Sequence, residues 1–188
     1  MLANLSSLQQ TLEKYSKLFE NLNIRIYSQQ FNEDLLLFKW WMFLTETGDI
    51  KKLVSPDSYR LFPFLSIYQP PAHCIYALDK NGEIDYVLWL RDPQGTAIFA
   101  GVWARENIRS TKRIIKLCLV TYSLTFEFYE SILGLTWQLD LLKLHTKIGY
   151  NIVGNLANFM HQPNAYFVQL TRSDFQNSPV YRVGGKLL

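Results

Sequence analysis

Cysteine is nearly absent: Cys74 and Cys118 are the only two in 188 residues. Both sit in apolar runs, His-Cys-Ile-Tyr and Lys-Leu-Cys-Leu-Val, so they build no disulfide framework, and each is expected as a small buried hydrophobe. Reduced, cytoplasmic surroundings are the expectation. Charge is scarce as well, at 19% of residues with a net charge of +3, against about 25% in ordinary soluble chains. No Lys/Arg block or basic-aromatic stripe is present, which argues against a nucleic-acid partner. Histidine occurs at His73, His145 and His161 alone, far apart and without Cys or carboxylate at ligand spacing, so there is no metal signature. P-loop, dinucleotide and Gly-x-Ser-x-Gly patterns are all missing. No window reaches the roughly 18 apolar residues of a membrane span, and the densest, residues 35–44, is broken by Lys39. The opening Met-Leu-Ala-Asn-Leu-Ser-Ser lacks the basic start and apolar run of a secretion signal.

What is plentiful is apolar and aromatic mass. Hydrophobic residues make up 48% of the chain and aromatics 15%, with 12 Phe, 11 Tyr and 5 Trp. That suits one well-buried domain over 1–188 and is short for two. So charge-poor a composition implies either one deep core or some surface held against a partner.

Leu5, Leu8, Leu12, Tyr15, Phe19 and Leu22 step by threes and fours, the period of an amphipathic helix. It is either docked on its own domain or paired with another chain as a short seam. Residues 23–28 alternate as a first strand, completing an N-terminal unit over 1–30. Asn32 caps a second, almost wholly apolar helix that Gly48 ends. Pro56, Pro63, Pro70 and Pro71 make 49–74 an irregular, variable loop. Residues 75–78, 83–91 and 96–103 then read as an antiparallel meander, joined by Asp79-Lys-Asn-Gly82 and Asp92-Pro-Gln-Gly95 turns. Ser110 is a candidate helix cap. The following 117–128, rich in Val, Thr, Tyr and Phe, fits helix or strand equally by propensity. A short strand around Thr136-Trp-Gln138, a helix over 139–148, a strand over 150–153, a loop through Pro163 and a strand over 165–170 complete the core. The tail 176–188, with Pro179, Gly184 and Gly185, reads as extended.

The stretch Gln138-Leu-Asp-Leu-Leu-Lys-Leu-His-Thr-Lys-Ile-Gly-Tyr150 resembles the late signature of the GNAT superfamily of acyl-coenzyme-A-dependent acyltransferases. That signature usually reads Asn-x-x-Ala-x-x-Leu-Tyr-x-x-x-Gly-Phe. Gln138 falls in the Asn slot, Leu141 in the Ala slot, Leu144 in the Leu slot, His145 in the Tyr slot and Gly149-Tyr150 in the Gly-Phe slot. The resemblance covers 75–175 and argues for helix over 114–129. It implies an α/β (α+β) fold: a mixed, mostly antiparallel central sheet flanked by helices, here with an extra N-terminal helix. The wording from Leu144 to Arg172 also resembles GNAT-like proteins encoded by tailed bacteriophages.

The same resemblance implies a site. The family's pyrophosphate cradle, Gln/Arg-x-x-Gly-x-Gly/Ala, falls here on Arg105-Glu-Asn-Ile-Arg-Ser110. Ile108 replaces the first glycine, where a β-branched side chain resists φ > 0. Arg105, Arg109, Ser110, Lys112, Arg113 and Gln138 are the candidate cofactor-binding residues, at a helix N-terminus that favours anions. They serve equally well as ordinary surface cations and polar groups at a helix start. His145, with a pKa near 6.5, is the candidate acid for a coenzyme A thiolate, or else a satisfied histidine on a short helix. Glu83, Asp85 and Glu106 are candidate bases, or solvated carboxylates. Two functions stay open. One is an N-acyltransferase moving an acetyl group from acetyl-CoA to a small-molecule or protein amine that enters beside 49–74. The other is a catalytically inactive GNAT-fold structural or interaction protein, for instance in a phage virion, docked on protein partners.

Overall fold

The computed structural model describes residues 10, 13–15, 22–28, 44, 46–47, 73–109, 111–159 and 162–184. Within them lies one sheet of seven strands: β1 (Ile24–Ser28), β2 (His73–Leu78), β3 (Ile84–Gln94), β4 (Ala97–Ala104), β5 (Ser131–Thr136), β6 (Asn151–Phe159) and β7 (Gln162–Thr171). Their order is β1-β2-β3-β4-β5-β7-β6. Every neighbour is antiparallel except β4 and β5, which run parallel. The helices are α1 (Lys112–Phe126), α2 (Leu139–Ile148), α3 (Arg172–Asn177) and α4 (Pro179–Gly184). This is the mixed, mostly antiparallel sheet with flanking helices that the sequence implied.

The meander forms for the expected local reasons. At the first turn the Asp79 carboxylate accepts from the backbone N–H groups of Asn81 (2.8 Å) and Glu83 (3.0 Å), and Gly82 takes φ 79°, which glycine adopts without steric cost. The second turn comes later than expected. β3 runs on through Pro93 to Gln94, with its register to β4 shifting between Arg91 and Gln94, because proline has no N–H to give the ladder.

The ambiguous run after residue 112 is helix. Thr121 and Thr125, which weaken helix propensity, donate their hydroxyls to the carbonyls of Leu117 and Thr121, each at 2.8 Å. That satisfies two buried polar groups inside the helix itself. Tyr86 on β3 meets the Thr121 hydroxyl at 2.8 Å, and Leu117, Leu119, Tyr122 and Leu124 are buried. Tertiary burial therefore overrides the β-propensity of the segment.

Three further expectations change. β5 begins before Gly134 and ends at Thr136 instead of lying around 136–138. Gly134 suits a strand interior here because a Cβ would sit 3.1 Å from Val168 on β7. The expected loop through Pro163 is instead a tight β6–β7 hairpin paired from Phe159 and Gln162 inward. The tail up to Gly184 is helical, not extended: the Thr171 side chain accepts from Asp174 N–H at 3.1 Å to cap α3, and Pro179 opens α4, where its missing N–H costs nothing. Phe175 anchors α3, with ring centroids 5.7 Å from Tyr122, 5.6 Å from Phe126 and 5.3 Å from Tyr181.

Of the N-terminal helix, Gln10 and residues 13–15 are described and helical. Tyr15 donates to Glu127 beyond α1 at 2.9 Å. Of the second expected helix, Leu44 and Glu46 are described and helical; its remainder, the loop up to residue 72 and the end of the tail lie outside the described residues.

α2 ends at Gly149, with φ 107° and its N–H directed to the carbonyls of His145 and Thr146. A Cβ there would fall 2.6 Å from the Asp174 carbonyl oxygen. Gly149→Ala is expected to cost roughly 1–3 kcal/mol for the backbone conformation alone, lowering the melting temperature by several degrees. An unchanged melting curve would refute this placement of α2 against α3.

Candidate active site

β4 and β5 pair only through Ala97–Ser131, Ile98–Ile132 and Phe99–Leu133. β4 then continues to Ala104 and β5 to Thr136, so the strands part and leave a cleft. Its inner end is a cavity of about 60 Å³ between Gly101, Gly134, Thr136, Tyr122, His145 and Tyr150. Its outer part, about 210 Å³, lies between the end of β4, Ile114 and Cys118 of α1, and Leu144 and Ile148 of α2, with Arg109, Gln138 and Asp140 also lining it. The two adjoin at Val102 and Leu141, which line both, and together they are termed the channel.

Glycine shapes the inner end. Gly101 faces Trp89 across the β3–β4 ladder, and a Cβ would strike the indole at 2.1 Å. A glycine inside a strand marks such a close approach, and this was the sequence signal for the site that motif reading passed over. Thr136, 2% exposed, accepts from the Gln138 backbone N–H at 3.3 Å; nothing in the sequence singled it out.

His145 reaches the cleft from α2, 6% exposed, its ring 4.7 Å from that of Tyr150. Its Nδ1 is buried with no hydrogen-bond partner among the described residues, although its surroundings leave a cavity beside it. Burial alone pushes its pKa down to about 4. The expectation of a histidine titrating near 6.5 is therefore corrected: desolvation disfavours the imidazolium, and the side chain is neutral at pH 7. Burial also raises the phenols of Tyr122 and Tyr150 and pushes the Cys118 thiol up to about 12, so all of these line the channel uncharged.

The other candidate residues are placed as follows. Arg105 does not face the channel: it pairs with Glu83 at 3.0 Å and donates to the Ile84 carbonyl at 3.0 Å. Arg113 is turned inward, gripping the buried Asp85 through Nε (2.7 Å) and Nη2 (3.1 Å) and donating to the Leu78 carbonyl at 2.8 Å. Arg109 is exposed at the channel mouth and Lys112 is exposed beside it on the first turn of α1. Gln138 lines the outer channel. Ser110 lies outside the described residues; the cap of α1 is Thr111, whose hydroxyl donates to the Ile108 carbonyl at 2.8 Å and does not cap the helix. Neither Glu83 nor Glu106 lines the channel. The first is in its ion pair and the second is exposed on a 3-10 turn over Glu106–Ile108, which packs the Ile108 side chain inward at 7% exposure. Among the described residues, no group of His, Cys, Asp and Glu is arranged to hold a metal ion, and no helix is long and apolar enough to cross a membrane.

A sheet forked between two parallel strands, with a helix starting at the mouth, is the architecture of the GNAT acetyltransferases. A spermidine N-acetyltransferase from Vibrio cholerae, solved with CoA and spermine, superposes with TM-score 0.60 at 10% identity, over 82% of this chain and 99% of that one. A GCN5-related N-acetyltransferase from Kribbella flavida gives TM-score 0.58 at 13% identity, over 79% and 98%. An aminoglycoside acetyltransferase in complex with coenzyme A and kanamycin gives 0.59 at 13% identity, over 84% and 98%. The chain thus has the GNAT fold. No protein-family profile matches it, and no curated protein matches it in sequence.

Neutral burial of His145 has a thermodynamic signature. An unfolded histidine titrates near 6.5 and the folded one near 4, so protons favour the unfolded chain. Stability is full above pH 6.5 and falls as pH drops toward 4, by about 2–3 kcal/mol at pH 4.5. In urea unfolding, His145→Phe is expected to be less acid-sensitive than wild type by roughly that amount. Equal pH dependence in the two proteins would refute the buried neutral imidazole.

Proposed function

We propose that this protein is an N-acyltransferase that moves an acetyl group from acetyl-CoA to an amine, with the reaction at the inner end of the forked cleft. The observation that carries the reading is His145, which lines the cavity between the diverging strands and whose buried Nδ1 has no partner among the described residues. Buried polar atoms in folded proteins are ordinarily paired, and an imidazole that lines a cavity while one of its nitrogens lacks a partner among the described residues fits a ligand-contacting role better than a packing one. The channel suits a thioester arm: it is lined by Val102, Ile114, Leu141 and Leu144, it is open at Arg109, and the first-turn N–H groups of α1 have no side-chain cap. Arg109 and Lys112 are the cations for a phosphate there, with Gln138 at the channel wall.

Acetyl-CoA supplies the acyl thioester: an N–C bond forms to the amine as the C–S bond breaks. His145 handles the proton. Neutral at pH 7, its imidazole accepts the proton shed by the amine nitrogen and returns it to the departing sulfur, whose negative charge favours the imidazolium while the proton is held. One residue acts as base and then acid, so no carboxylate in the channel is required. Glu83 and Glu106 are left with structural or solvated roles. The acceptor is an amine; spermine and kanamycin, which two of the structural neighbours hold, are amines.

Isothermal titration with acetyl-CoA is expected to give micromolar binding, weakened at least tenfold by Leu141→Trp, which fills the channel. His145→Phe should keep binding while slowing acetyl transfer to an amine panel by about 10²–10⁴. No heat at millimolar acetyl-CoA would sink the enzyme reading and favour the inactive structural protein, in a virion or another assembly.

A further inference from the structure

We propose that the natural donor is a 4′-phosphopantetheine thioester carried on an acidic protein, with coenzyme A as a stand-in that shares its arm. The inference rests on the acyl-transfer reading above and concerns only what lies beyond the channel mouth.

Free coenzyme A brings a pyrophosphate and a ribose phosphate, and a loop that receives these groups presents a run of backbone N–H donors. Among the described residues, three of the loop's N–H groups are directed to its own carbonyls. The N–H of Ile108 donates to the Arg105 carbonyl (3.1 Å), that of Arg109 to Glu106 (3.2 Å) and that of Thr111 to Ile108 (3.0 Å). These bonds hold because Ile108 packs into the core and closes the 3-10 turn. Arg105 and Arg113, which the loop's sequence offers to phosphates, are taken up by Glu83 and Asp85. What remains at the mouth among the described residues is Arg109, Lys112 and the uncapped start of α1, with Asp140 across the channel paired to Lys143 at 3.3 Å. Among the described residues that leaves two side-chain cations, Arg109 and Lys112, for the three phosphates of coenzyme A.

The channel behind the mouth is a good fit for the remainder of the arm, since its walls are largely apolar and His145 lines its inner end. The rim also fits a protein surface better than a nucleotide. Leu139, the first residue of α2, is 62% exposed between the channel-lining Gln138 and Asp140. Lys147 is exposed farther along α2 and Lys112 on the first turn of α1, while Lys143 is paired with Asp140. An exposed leucine within a cationic rim complements an acidic partner that offers a small apolar patch.

The test is a ligand ladder by isothermal titration on the full chain: S-acetylpantetheine, S-acetyl-4′-phosphopantetheine, acetyl-CoA, and a small acidic carrier domain loaded with the acetylated arm. The phosphorylated arm is expected to bind within about threefold of acetyl-CoA and at least tenfold tighter than S-acetylpantetheine. Arg109→Gln should erase that phosphate advantage. The loaded carrier should bind at least tenfold tighter than the free arm, a gain removed by Leu139→Asp. Acetyl-CoA binding tenfold or more tighter than the phosphorylated arm would overturn the proposal and leave the cleft reading intact. A carrier-borne arm no tighter than the free one would overturn the protein-borne donor. Failure of every small ligand to bind would overturn the cleft reading itself.

Discussion

The three-rung parallel junction between β4 and β5 is the constraint on which the rest of this protein depends. On one side of it stands an antiparallel meander, β1 to β4; on the other, the antiparallel set β5, β7 and β6. Ala97–Ser131, Ile98–Ile132 and Phe99–Leu133 join them, helped by Glu130 N–H donating to the Thr96 carbonyl at 2.8 Å. Beyond Phe99 the strands lose each other, and facing β4 and β5 edges no longer satisfy one another in a ladder. A fully paired seven-stranded sheet would bury more backbone hydrogen bonds and would have no site. The cleft is the cost of the divergence, and helices α1 and α2 wall it with apolar side chains.

Electrostatics around the cleft follow from one buried pair. Asp85, 2% exposed on β3, would be strongly disfavoured there without a partner. Arg113 at the start of α1 meets it in a two-pronged grip and adds the Leu22 and Leu78 carbonyls at 3.3 and 2.8 Å. This ties the beginning of α1 to the far end of the meander and takes the most central cation of the loop out of the mouth. Arg105 does the same on a smaller scale with Glu83. The inner end of the channel is lined by no charged side chain among the described residues, and burial keeps the imidazole there unprotonated at pH 7.

Much of this was legible in the chain, and the limits fall in identifiable places. The Asp79–Gly82 turn, the α2 helix with its Gly149 stop, and the fold itself follow from local chemistry and from the Gln138–Tyr150 signature. The candidate site was legible in part. His145 was identifiable from its motif position, but its charge state was not, because desolvation comes from Tyr150 and the packed strands around it. Arg105 and Arg113 were readable as cations, but their ion pairs were not, because Glu83 and Asp85 lie 22 and 28 residues away in sequence. Thr136 and Gly101 carried no motif at all, and β5 was misplaced because Gly134 reads as a break until Val168 is packed against it.

The sequence alone determined the Asp79–Gly82 turn and the helix over 139–148, since each depends on neighbours within a few residues, where steric and hydrogen-bonding preferences act directly. It also determined that α2 ends in a left-handed residue, which only glycine tolerates against Asp174. Tertiary structure decided what required distant segments to meet: that 117–126 is helix despite its β-branched content, that Arg105 and Arg113 pair with Glu83 and Asp85, and that β4 and β5 part after three pairs. Burial and long-range pairing are properties of the assembled sheet. They set the protonation of His145 and the cations left at the channel mouth, which no local stretch of the chain encodes.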